Sequence, residues 1–98
     1  MSEDALSQAA AKAARAQSLL DNELLAEAFK GLEDAYTGAW RASKIEDVSA
    51  REKLFLAINV VGKVRDHLTA IVQNGKLAQA EMKELAETAE RKRRFGII

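Results

Sequence analysis

The stretch between residues 23 and 42 has the clearest helical pattern in the chain. Its apolar residues recur at steps of three and four: Leu25, Ala28, Phe29, Leu32, Tyr36, Ala39 and Trp40. Because an α-helix completes a turn about every 3.6 residues, this spacing places them on one face. We therefore predict an amphipathic helix from Glu23 to about Ala42, with Asp21 and Asn22 as the break and cap before it.

The following helix is predicted to be the most apolar one and to run from about Ala50 to Gln73. Its main stripe consists of Leu54, Ala57, Ile58, Val61, Val64, Leu68, Ile71 and Val72, and Phe55, Leu56 and Val60 widen it. A helix that is apolar over more than half its circumference packs on two neighbours or lies at an interface. Ser49 and Glu52 have the spacing of a capping box at its start, and Asn74–Gly75 is typical of a helix end.

Two weaker helices are predicted at the ends of the chain. The first, Glu3 to Leu20, is rich in alanine and has a thin apolar face, so we expect it to form but to be marginally stable. The second runs from Lys76 to about Arg94 with a narrow apolar edge. We also expect that Gly31 and Gly38, seven residues apart, allow a close approach by another helix, and that Gly62 marks a close crossing.

The composition indicates a single all-α domain. The 98 residues contain no proline and no cysteine, and 48% of them are hydrophobic. Nothing in the chain interrupts helices strongly, and disulfides, thiolate zinc sites and cysteine nucleophiles are excluded. We predict one helical domain over residues 1–98, an antiparallel helical hairpin or a small bundle of three to four helices. Residues 1–20 form its marginal first helix and residues 91–98 a projecting tail, and no segment is apolar enough to cross a membrane.

Charge divides the chain into two halves that cancel. Residues 1–47 contain nine acids and five bases, a net charge of −4, whereas residues 48–98 contain six acids and ten bases, a net charge of +4. Halves of opposite sign can attract each other or a neighbouring copy, although a solvated surface is the simpler interpretation. The net charge of zero over the whole chain argues against a protein dedicated to binding polyanions.

Residues that could carry catalysis are sparse in the sequence. His67 is the only histidine, and no Glu-x-x-His pair of a di-metal bundle is present. The run Val61-Gly62-Lys63-Val64 lacks the second glycine and the hydroxyl residue of a phosphate-binding loop. We therefore expect no enzyme activity, no catalytic or metal-binding residues and no cofactor.

Two groups of residues are candidates for binding a partner. Tyr36, Trp40 and Arg41 cluster at the end of the second predicted helix and belong either to the core or to an interface. The C-terminal stretch has a basic part and an apolar part: Arg91, Lys92, Arg93, Arg94, Phe95, Ile97 and Ile98. It could neutralise phosphates, touch a membrane, dock on a protein or fold back on its own domain; protein docking explains its apolar end better than the nucleic-acid or membrane alternatives.

Residues 15–80 resemble small helical proteins encoded among the head and packaging genes of tailed bacteriophages and prophages. The resemblance lies in the Arg-Ala-x-x-Leu-Leu run from Arg15, in Tyr36 with Trp40, in Arg51 with Glu52, and in the Asn74–Gly75 pair. It implies a non-enzymatic structural or assembly protein of a phage particle, in the virion or the host cytoplasm. Its partners would be other phage structural proteins or copies of itself. The alternatives are a DNA-binding packaging or regulatory accessory and a small inhibitor of a host protein.

Overall fold

The computed structural model describes residues 2–94, and its regular structure consists of three α-helices. These are α1 (Glu3–Leu20), α2 (Glu23–Ala42) and α3 (Val48–Arg94). A two-residue turn at Asp21 and Asn22 separates α1 from α2, and a short loop over residues 43–47 leads into α3. Residues 2–94 contain no strand, so the predicted all-α class is confirmed.

Local side chains set the starts of the first two helices. The Ser2 hydroxyl accepts a hydrogen bond from the Ala5 amide at 3.1 Å, and the Asn22 side chain accepts one from the Leu25 amide at 2.9 Å. Each bond satisfies an amide that has no partner within its own helix. The break predicted at Asp21–Asn22 is therefore confirmed, and both bounds of α2 agree with the sequence pattern.

The three helices form a long antiparallel hairpin in which α1 and α2 together make the first arm. Trp40 lies against Arg51, Phe29 against Arg65, and Ala13 against Gly75. Residue numbers therefore fall along the first arm as they rise along α3, which is the pairing of an antiparallel hairpin. Both α1 and α2 pack against α3, and they contact each other little. The molecule measures 75 × 25 × 16 Å, and its radius of gyration of 21.5 Å exceeds the roughly 13 Å of a compact domain of this length.

The prediction of a small bundle with up to four helices is wrong, because the third and fourth predicted helices are one. α3 continues through Asn74 and Gly75 for 47 residues, so Asn74–Gly75 does not end a helix. α3 also begins at Val48, where the Arg51 amide donates to the Asp47 carbonyl at 3.0 Å. Ser49 therefore lies inside the first turn rather than at a capping position.

Gly75 has a packing role instead of a capping role. It is buried opposite α1, and a β-carbon placed there would overlap the β-carbon of Ala13 and lie 3.1 Å from the Ala9 carbonyl oxygen. The absence of a side chain thus lets α1 and α3 approach closely. The glycines predicted for this role, Gly31, Gly38 and Gly62, have no atom within 4 Å of an added β-carbon.

The buried core is small and lies between α1 and α3. Among residues 2–94, the buried apolar side chains are Leu6, Ala13, Ala16, Val72 and Ala78. Three of these five belong to α1, the helix with the thinnest apolar pattern. α2 (Glu23–Ala42) contains no buried residue, so its packing on α3 is only partial.

Candidate protein-interaction surface

The side of α3 that contacts the first arm follows a heptad spacing. Partly or fully buried residues recur along α3 in alternating steps of three and four, with the half-buried Ala57, Gly62 and Ile71 beside them: Arg51, Leu54, Ile58, Val61, Arg65, Leu68, Val72 and Gly75. Seven-residue spacing is the signature of helices packed side by side as in a coiled coil. We call these positions, together with the half-buried residues of α2 that face them, the seam.

Arg51 joins the two arms at the loop end of the hairpin. Its guanidinium lies 4.7 Å from the centre of the Trp40 ring. The same group donates hydrogen bonds to the Ser43 hydroxyl at 2.7 Å and to the Trp40 carbonyl at 3.1 Å. The Ser43 hydroxyl in turn donates to the Trp40 carbonyl at 2.6 Å, so one arginine caps the end of α2 and covers its tryptophan.

Arg65 repeats this arrangement two heptads further along α3. Its guanidinium lies 5.3 Å from the centre of the Phe29 ring and 3.0 Å from a carboxylate oxygen of Glu33. Both members of the ion pair are half-buried, which distinguishes them from the exposed pair of Lys30 and Asp34 on the surface of α2. The two arginines therefore tie α2 to α3 at positions where an apolar seam would place a leucine or isoleucine.

The candidate cluster at the end of α2 is divided by the fold. Tyr36 and Trp40 are half-buried, and Trp40 contacts Arg51 of the same chain. Arg41 is exposed on another side of the helix. The contact with Arg51 favours intramolecular packing of Trp40, one of the two alternatives that the sequence left open. Arg51 itself was not among the candidate residues, although a bulky cation in a heptad of apolar residues was visible in the sequence.

A broad apolar surface lies beside the seam on one side of the hairpin. Each of its residues directly precedes a seam residue and is therefore rotated from the seam by about 100° in the same sense. Because α2 and α3 are antiparallel, this rotation directs the residues of both helices toward the same side. We call this surface the apolar face; it consists of Leu24, Ala28, Leu32 and Ala35 on α2 and Ala57, Val60, Val64 and Ile71 on α3.

Large side chains on the apolar face are exposed to solvent. The exposed fractions are 75% for Leu24 and 45% for Leu32 on α2, and 59% for Val60 and 47% for Val64 on α3. Two shallow grooves run along this side. One is lined by Val60, Lys63, Val64, His67 and Leu68, and the other by Leu19, Asn22, Leu24, Leu25 and Ala28. His67 thus borders an apolar groove.

The opposite side of the hairpin is mostly polar. Residues that directly follow seam positions point there; they include Lys30 and Arg41 on α2 and Asn59, Asp66 and Gln73 on α3, and the exposed Phe55 is an apolar exception. The Asn59 side chain bonds only within its own helix, to the Phe55 carbonyl at 2.9 Å. The hairpin therefore has one predominantly apolar and one predominantly polar side, which is the pattern of a helical layer that is covered on one side only.

Neither known families nor known structures identify the chain. No protein-family model, no curated protein and no solved structure matches it. The phage origin implied by the sequence resemblance therefore stays a prediction.

Within residues 2–94, no cluster of three or more histidine, cysteine, aspartate or glutamate side chains has a geometry suited to a metal ion. Over the same residues, no helix combines the length and apolar content that a membrane crossing requires. The predictions that the chain has no enzyme activity and no cofactor are not tested by these observations.

The basic candidate residues form the last turn of α3. Arg91, Lys92, Arg93 and Arg94 are all exposed; the Arg91 guanidinium donates to the Thr88 hydroxyl at 3.3 Å, and Arg94 lies 4.0 Å from Glu90. Ala13 lies opposite Gly75 in the antiparallel hairpin, so Glu3, ten residues before Ala13, lies near residue 85 of α3, and the basic turn extends past the start of α1. The other candidates in this stretch, Phe95, Ile97 and Ile98, lie outside the described residues.

Proposed function

We propose that this chain is a non-enzymatic structural or assembly protein of a bacteriophage particle that acts through protein-protein contacts made by its apolar face, with other phage proteins or with copies of itself. The observation that carries the binding part of the proposal is the exposure of Leu24, Leu32, Val60 and Val64 on one side of the hairpin. The phage part rests on the sequence resemblance alone.

The balance between buried and exposed apolar side chains supports a binding role. Across residues 2–94, eleven large hydrophobic side chains are exposed, four of them together on the apolar face, whereas Leu6 is the one large side chain that is completely buried. Single exposed leucines are common on protein surfaces, but a contiguous apolar area marks a site of interaction. The face lies on two helices that arginine contacts join, so one hairpin presents both of its parts.

A test follows from the two sides of the hairpin. A photo-reactive amino acid is placed at Val64 on the apolar face, or at Asn59 on the polar side, in full-length protein made in cells that produce the particle. We expect the chain to sediment with particles or assembly intermediates. We also expect position 64, but not position 59, to cross-link to another protein molecule, either a different protein or a second copy of this chain, which mass spectrometry identifies.

The matched pair of positions makes the result decisive. Both residues are exposed, both lie on α3 and they are five residues apart, so they differ mainly in the side of the hairpin. Equal cross-linking from both positions would contradict a role for the apolar face. Absence of the chain from every particle fraction, with no cross-linked protein at either position, would contradict the proposal as a whole.

A second candidate function is DNA binding, favoured by the four exposed basic residues at the end of α3. Neutralising about four phosphates gives a slope of roughly −3.6 in a plot of log affinity against log salt concentration. Duplex DNA titrated into the protein across a salt series measures this slope. A variant with all four residues changed to glutamine is the control, and a steep slope that this variant abolishes would favour the DNA-binding function.

A further inference from the structure

We propose that the apolar face binds a second copy of this chain, so that α2 and α3 of two hairpins form a four-helix bundle. The two-fold axis runs parallel to the long axis of the hairpins, and α2 of each copy packs against α3 of the other. This inference rests on the proposed function only in taking the apolar face to be a protein-binding surface, and it names a second copy as the occupant.

The amount of exposed surface matches that of a stable dimer. The chain has an accessible surface of 7658 Å², whereas a compact monomer of 10.7 kDa has about 5,500 Å². The excess is therefore about 2,100 Å² per chain. Obligate dimers bury about 1,000–2,500 Å² on each partner, so the excess is of the size that a stable dimer buries.

Side-chain size allows α2 to pack on α3 of the second copy. On α2 the apolar face carries the small Ala28 and Ala35, with Gly31 beside them open to solvent, alongside the larger Leu24 and Leu32. On α3 it carries Val60 and Val64. The small residues of α2 leave room for these valines, as close packing of an interface requires.

Charge favours the same choice. α2 contains four acids and two bases, a net charge of −2. Residues 48–71 of α3, which lie alongside it, contain two acids and four bases, a net charge of +2. A two-fold axis parallel to the hairpin sets each acidic helix against a basic one, and the alternative axis across the hairpin sets like charges together.

This symmetry also determines which residues of the two copies lie opposite each other. A two-fold rotation about the long axis leaves the position of each residue along that axis unchanged. The Phe29–Arg65 contact gives the register of α2 against α3. Ala35 lies about 9 Å from Phe29 along its helix, and Val60 about 7.5 Å from Arg65 in the same direction along the hairpin. Ala35 of one copy should therefore lie beside Val60 of the other.

The first experiment measures the mass of the full-length chain by sedimentation equilibrium over a range of concentrations. We expect a dimer of twice the 10.7 kDa chain mass. Val64→Lys should raise the dissociation constant by about 100-fold, because each substitution occurs twice in a symmetric interface. Asn59→Lys, on the polar side of the same helix, should leave it within about threefold of the wild-type value.

The second experiment tests the arrangement of helices and does not depend on a destabilising variant. The chain has no cysteine, so Ala35→Cys and Val60→Cys variants each carry a single thiol. Mixed and oxidised, the two variants should form a disulfide between them, while each variant alone should stay uncross-linked. If either variant formed disulfides with itself, and no disulfide joined the two different variants in the mixture, the proposed symmetry would be overturned.

The two proposals fail in different ways. A wild-type chain that is monomeric at every concentration, yet cross-links to another protein from position 64, overturns the self-association and leaves the proposed function standing. A dimer with the predicted disulfide, in a chain that binds no other protein and is absent from particles, supports the self-association and contradicts the proposed function.

Discussion

Replacing Gly75 with alanine should destabilise the hairpin, although the same change in an ordinary helix is stabilising. Alanine is favoured over glycine by about 1 kcal/mol in the interior of a helix. At position 75 the new methyl group would overlap the Ala13 β-carbon and press on the Ala9 carbonyl oxygen and the Ala13 α-carbon. Two of these atoms belong to the backbone, so α1 itself must move.

The size of the effect follows from these opposing contributions. Overpacking a tight contact costs about 1–3 kcal/mol, and the upper end applies because a rigid helix backbone has to shift. Shifting α1 also loosens the contacts of its three buried residues, Leu6, Ala13 and Ala16, with α3. After subtracting the gain in helix propensity, we expect a net loss of about 2 kcal/mol, equivalent to a fall in Tm of about 8–16 °C.

Circular dichroism at fixed protein concentration measures this change, and Gly62→Ala is the matched control. Gly62 lies on the same helix, but a β-carbon there meets no atom within 4 Å. Gly62→Ala should therefore raise the free energy of unfolding by about 1 kcal/mol. Opposite signs for the two substitutions would identify packing, and not helix propensity, as the cause.

A compensating substitution tests the contact directly. In the double variant Gly75→Ala with Ala13→Gly, the two residues exchange side chains and the overlap disappears. We expect the double variant to be more stable than Gly75→Ala despite the added glycine in α1. If Gly75→Ala is as stable as Gly62→Ala, or if Ala13→Gly brings no recovery, the close contact between α1 and α3 is not as described.

Two further substitutions test the ends of α2. Arg51→Ala should cost about 2 kcal/mol because it removes charged hydrogen bonds to Ser43 and Trp40 together with the contact on the Trp40 ring, and urea unfolding followed by tryptophan fluorescence measures it. Asn22→Ala should cost about 1 kcal/mol because the Leu25 amide loses its cap, and thermal unfolding measures it.

Conservative variants serve as controls for both substitutions. Arg51→Lys should recover less than half of the loss, since a lysine ammonium lacks the planar guanidinium that covers the Trp40 ring while it bonds both acceptors. Asn22→Asp should be close to neutral because its carboxylate can cap the same amide. Recovery in full by lysine, or an equal loss with aspartate, would contradict these explanations.

The sequence predicted the helices of the first arm well but failed in the middle of α3. The break at Asp21–Asn22 combines a capping side chain with the end of an apolar pattern, and both signals are local. Asn74–Gly75 carries an equally strong local signal for a helix end, yet the helix continues. Gly75 faces Ala13, which is 62 positions earlier in the chain, so the reason for the glycine is a tertiary contact that no local pattern contains.

The candidate surface was also only partly predictable. The periodicity of the sequence identified α3 as apolar over more than one face, and its apolar residues outside the seam include the exposed Val60 and Val64. The periodicity did not predict that Leu32 is exposed while the neighbouring Glu33 is half-buried. That choice depends on Arg65 reaching across from α3 to bind Glu33, which is a contact between helices.

The composition of the seam argues that folding of this chain is coupled to association. Two of the heptad positions on α3 hold Arg51 and Arg65, and α2 buries no residue, so the isolated hairpin gains little from burying apolar surface. Ordering each residue costs about 1–2 kcal/mol of conformational entropy, which a thin seam offsets poorly. Covering the apolar face would add the missing burial, and the Tm should therefore rise with protein concentration. A Tm that stays constant over a hundredfold range of concentration would mean that the hairpin is stable by itself and that its arginine contacts contribute more than this reasoning allows.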